Sequence, residues 1–267
     1  MSGRQSKRRR SEKSNVSLHL ANAAIVERCA EAILSVDLSD ISLRDRVPQV
    51  AIGLCRAAAA QSRAIALLAT AGQLSSAAPN RRLFLEAAIR LIWMSGLSHV
   101  ERLEAVDVML EKDRKDTNGT LGYLTDLGHD VNFDPSEMNQ FELTASTKGT
   151  LQEQVRKLDA AVRGSASEPW SLYAMWREET KYAHASGAVA GQYSPTLDQH
   201  HVSNGKPDPM DPDLEAHQLV QCLIVFATEQ ILSDEGYTRL ESSRLTAAFR
   251  KTARIDFEWP DSNDHEE

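Results

Sequence analysis

Arg177 and His184 stand seven residues apart in the segment WSLYAMWREETKYAHASG, which runs from Trp170 to Gly187. Seven helical residues make two turns, so this spacing puts a guanidinium and an imidazole on nearly the same face. An imidazole titrating near neutrality can take up a proton, and a guanidinium can stabilise developing negative charge. Trp170, Tyr173 and Lys181 fall within roughly 80° of that face at 100° per residue, adding stacking surface and a further phosphate contact. The plainer reading is that the rings seat the helix and that Arg177 pairs with Glu178, Glu179 or Glu86.

A second constellation lies upstream. Between residues 80 and 95 the only charges are Arg81, Arg82, Glu86 and Arg90, and the last three are spaced by four. They draw one polar stripe along a helix that is otherwise apolar nearly all round, which places the helix in the middle of a bundle. The stripe reads either as a solvent-facing ion-pair ladder or as the wall of an internal cleft, with Glu86 holding a cation from another helix.

The elements that must position these residues are all helical. Ala, Leu, Arg and Glu recur, Gly and Pro number only 13 and 9, and β-branched runs bounded by turn signals are absent. The periodicity predicts helices over about 16–36, 48–72 and 80–95. A fourth starts at the capping box Ser98/Glu101 and ends before Asn118 and Gly119. Asp134-Pro135 starts a short helix, and Leu151, Val155, Leu158 and Val162 mark another that ends at Gly164. The segment from about Ser167 to Gly187 follows, then a long loop over 188–212. The last two helices run from Asp211-Pro212 to about Ser233 and over roughly 237–255. The expectation is an all-α single bundle of about eight to nine helices: a domain over 16–257 between a disordered basic tail, 1–15, and a disordered acidic tail, 258–267.

Composition narrows the function classes. The 267 residues are long enough for one substantial core, and a formal net charge of -8 argues against a general nucleic-acid coat. Cys29, Cys55 and Cys222 are scattered among apolar residues, which fits core thiols of a reducing, cytoplasmic compartment rather than a disulfide or metal framework. The longest uncharged run, 64–80, is broken by Thr70, Gly72, Gln73, Ser75 and Ser76, so no membrane span is expected. In the loop, Asp198, His200 and His201 lie near Asp208, Asp211 and Asp213, but without metal-ligand spacing. Gly-rich phosphate motifs are missing as well. Neither a cofactor nor a metal is expected.

Arg177, six intervening residues and His184 resemble the Arg/His signature of HEPN-type helical domains, many of which are metal-independent ribonucleases. A further likeness covers about 80–233: the chain is similar to uncharacterised bacterial helical proteins with an Arg-x-x-x-Glu, matched by Arg82 and Glu86, and a Tyr-x-His-x-Ser, matched by Tyr182, His184 and Ser186. The ribonuclease resemblance implies that His184 takes the proton of a ribose 2′-hydroxyl while Arg177 stabilises the phosphorane-like transition state. Glu86 would orient the pair. Arg82, Arg90, Lys181, Tyr182, Trp170 and Tyr173 would bind substrate, and the site would form across a homodimer. Two readings stand: an RNA-directed effector of a defence or toxin system, with an antitoxin among its partners, and a non-catalytic helical module that binds a protein or nucleic acid. Glu178, where such ribonucleases carry Asn, Asp or His, favours the second.

Overall fold

The computed structural model describes residues 2–130, 133–134, 149–165, 169–194 and 213–253, with side chains from residue 18 onward. The described residues form eleven helices and no strand, so the all-α expectation holds and the helix count exceeds it. The expected short helix after Asp134, most of the 188–212 loop and the acidic tail lie outside the described residues.

Helix α1 spans Ser2–Leu34, so its backbone continues through the basic segment that the sequence reading makes a disordered tail. Its inward stripe, Ala23, Val26, Ala30 and Ile33, repeats every three or four residues and packs on α2, Arg46–Thr70. Asp45 caps α2 by accepting from the Val47 amide at 2.8 Å. The contact side of α2 is lined by Ala51, Cys55, Ala58, Ala59 and Ala66, whose small volumes let neighbouring helices approach closely. Among the described residues α2 alone is long and apolar enough to cross a membrane. Here it packs against α1, α3 and the later helix α9. Gly72, at φ +68, ends it as expected.

Helix α3, Ala78–Ser95, is the hub. Phe84, Leu85, Ala87, Ala88, Ile89, Leu91, Trp93 and Met94 are all buried, as an apolar cylinder must be. It is followed by α4, His99–Asp126, and the Ser98/Glu101 capping box is present. This helix runs on through Asn118 and Gly119, where a stop was expected; Gly lowers helix propensity by only about 1 kcal/mol, and a long run of regular helix precedes it.

The next predicted helix is two: α5, Gly149–Arg156, and α6, Leu158–Gly164, separated by extended Lys157. The break lets Leu151, Val155, Leu158 and Val162 all reach the core. Two bonds stitch α5 to the hub, Arg90 Nη1 donating to the Val155 carbonyl at 2.8 Å and Trp93 Nε1 donating to Gln154 Oε1 at 3.2 Å. Then come α7, Trp170–Tyr182, and α8, Gly187–Tyr193, the second a short helix capped by Ser186 where the long loop over 188–212 was expected to begin. Helix α9, Leu214–Asp234, is capped by Asp213 and lies on α2 and α3. The chain returns to α1 through α10, Arg239–Ser242, and α11, Arg244–Ala253. A Thr238/Glu241 capping box starts α10, and a break at Ser243 makes two helices of the single one expected.

Candidate functional site

Helix α7 lies against α3, so the two constellations read from the sequence do share an interface. Leu172, Met175, Trp176 and Glu179, at spacings of three, one and three, turn inward or sit half-buried. Trp170, Ala174, Arg177, Glu178 and Lys181 face solvent.

The rings form a ladder. Trp170 meets Tyr173 edge-on at 6.3 Å, Tyr173 stacks on Trp176 at 5.6 Å, and the Arg82 guanidinium of α3 lies 5.5 Å from the Trp176 ring centre. The outer end of this ladder is open, with Trp170 45% exposed. The inner end is closed, and Arg82 Nε and Trp176 Nε1 are buried without a partner. Trp176 is the ladder's inner ring, the one that meets Arg82, and the sequence reading missed it. Its three-residue spacing from Tyr173 is the signal that could have found it.

The geometry corrects the premise that Arg177 and His184 share one helix. Ser186 Oγ donates to the Lys181 carbonyl at 2.5 Å and accepts from the Val189 amide at 3.3 Å. One hydroxyl therefore closes the end of α7 and caps α8, which stops α7 at Tyr182. His184 sits in the bend over residues 183–185, beyond the last helical turn. Both it and Arg177 are exposed, and neither has a hydrogen-bond or ion-pair partner among the described residues. Tyr182 is half-buried, and Lys181 pairs with Glu178 at the surface.

The Arg82/Glu86/Arg90 stripe faces helices rather than water. Arg90 is desolvated enough to lower its pKa. It pairs with Glu86 at 3.7 Å as well as holding the Val155 carbonyl. Glu86 thus takes its cation from its own helix. Among the described residues it makes no bond to Arg177 or His184. The expected cation–carboxylate bridge between helices exists in reverse, because Arg81 of α3 donates to Glu179 of α7 at 2.7 Å. That glutamate is 4% exposed, and burial raises its pKa against the opposing pull of Arg81. Its second oxygen, Oε2, has no partner.

Behind this pair lies a second buried polar group that sequence reading did not find. His217 of α9 stacks on Phe84 at 3.9 Å, and its Nε2 lies 2.8 Å from Ser62 Oγ. Such a distance suits a nucleophile and its base. However, burial, aided by Arg81, pushes the His217 pKa down to about 3, and Ser62 is fully enclosed. So weak a base, beside a fully enclosed serine, is a packing group. The hollow between Arg81, Phe84, Met175, Asp213 and His217 is open, and its ≈ 240 Å³ includes the solvent at its mouth. What the site offers a ligand is therefore the open face of α7: a stacking ring, two cations and an imidazole. No protein-family model, curated protein or solved structure matches the chain.

Proposed function

We propose that the chain is a helical binding module whose α7 face takes up single-stranded RNA. The observation that carries this is an aromatic ladder, Trp170–Tyr173–Trp176, open at Trp170, on a helix that also exposes Arg177 and is followed by exposed His184, neither of which has a hydrogen-bond or ion-pair partner among the described residues. A base stacked on an exposed ring contributes about 1–3 kcal/mol, and a guanidinium with no acid attached has its donors available for a phosphate. Binding without cleavage fits better than catalysis, because a general base needs a group that holds its tautomer and direction, and His184 has none among the described residues.

Metal-independent cleavage by His184 and Arg177 is the second reading. It is favoured by both side chains being free to move onto a 2′-hydroxyl and its phosphate. The roles in a defence or toxin system, the antitoxin partner, the homodimer and the cytoplasmic setting all belong to this reading. Incubating end-labelled single-stranded RNA with wild type and His184→Ala, then following retention and fragment length, separates the two. Retention of intact RNA by both proteins supports the binding module. Fragments made only by wild type support cleavage, and neither retention nor fragments overturns both.

A further inference from the structure

Ionisable side chains also gather away from α7, where α2 and α4 begin and α9 ends. Asp45 caps α2, His99 opens α4, and Glu235 stands just past the end of α9. The Glu235 side chain is 1% exposed. Its Oε1 accepts from Arg102 Nε at 2.7 Å, and its Oε2 lies 2.5 Å from His99 Nδ1. Arg102 is buried too, and its Nη1 donates to the Leu97 carbonyl at 2.7 Å and to Asp234 at 3.2 Å. Asp45 uses Oδ1 on the Val47 amide, and its other oxygen has no hydrogen bond among the described residues. One donor atom from each of Asp45, His99 and Glu235 lies within 4.8 Å of the other two.

We propose that Asp45, His99 and Glu235 bind a first-row divalent cation of the zinc class. An imidazole nitrogen with two carboxylates is a donor set that zinc accepts, and three protein ligands leave a fourth position for water. Calcium and magnesium prefer an all-oxygen shell, whereas the His99 nitrogen suits a softer cation. The support around the ligands is already built. Arg102 fixes Glu235 through the oxygen that faces away from His99, as a second-layer partner of a metal ligand does. The His99 side chain, 52% exposed, opens the group to solvent.

Asp45, Asp234 and Glu235 bring carboxylates to the junction, and Arg102 pairs with the last two. The carboxyl end of α9 favours a cation, whereas the amino ends of α2 and α4 oppose it. The carboxylates therefore carry the binding. The cation would tie the start of α2 to the start of α4 and the end of α9, which already meet through Arg102 and the His99–Glu235 bond.

Zinc titration of the full chain against a chromophoric chelator, with cobalt(II) absorption as a geometric readout, tests the site. One zinc per chain, tetrahedral cobalt bands, and affinity at least about tenfold weaker in His99→Ala are expected, ligand loss costing no less than loss of a supporting group. Asp45→Asn keeps a capping side chain while removing a charged ligand, and carries the same comparison should His99→Ala fail to fold. Absence of zinc binding overturns the site. Equal affinity in wild type and variants also overturns it, because the metal then sits on other histidines.

Discussion

His217 gives the fold a pH signature. Its folded pKa is pushed down to about 3 from 6.5, so between those values the unfolded chain binds a proton that the folded chain refuses. Stability from this group is complete above pH 6.5 and falls as pH drops toward 3. Urea unfolding of wild type and His217→Gln at pH 7.5 and pH 4.0 should show the larger loss in wild type. Equal losses would contradict the assignment. Glu179, with its raised pKa, acts in the opposite sense above 4.5, but it is common to both proteins and cancels. The Arg81–Glu179 bond makes a second residue-scale prediction. Arg81→Met should cost about 3–5 kcal/mol in urea unfolding by stranding a buried carboxylate, and Arg81→Met/Glu179→Leu should recover most of it. At the open face the expectation reverses, and Arg177→Ala should change stability by less than about 0.5 kcal/mol.

At the scale of elements, the caps explain what was and was not legible. Ser98 with Glu101 announces α4 in sequence and caps it in the structure, so Ser98→Ala should destabilise by about 1 kcal/mol in urea unfolding. The apolar cylinder of α3 was equally plain, because nothing but burial on all sides explains it. The breaks were not legible. Ser186 caps α8 through its own hydroxyl, Thr238 caps α10 with Glu241, and Lys157 adopts an extended backbone between α5 and α6. Lys157 lies inside a continuous apolar period, and local periodicity cannot tell one helix from two that bury the same stripe; Ser186 stands at the edge of the expected loop, and Thr238 at the start of an expected helix that breaks at Ser243. Of the candidate site, the aromatic and cationic face of α7 and its contact with α3 were readable from spacing. The helical position of His184, the inward turn of Glu179 and the partnership of Arg82 with Trp176 depend on where helices end and meet.

The whole molecule is an acidic chain, -8 in formal charge, built around one apolar helix. Against that charge, binding of a polyanion has to come from a local surface rather than from the field of the whole protein. The ladder and Arg177 of α7 supply one. Fluorescence anisotropy with a labelled single-stranded RNA, comparing wild type with Trp170→Ala and Arg177→Ala at matched thermal stability, tests the central claim most directly. Wild type should bind with an affinity that falls as salt rises, and each variant should bind at least about fivefold more weakly, the lower end of what one stacking contact contributes. Wild-type affinity that neither substitution changes, or no binding at low salt, would contradict it.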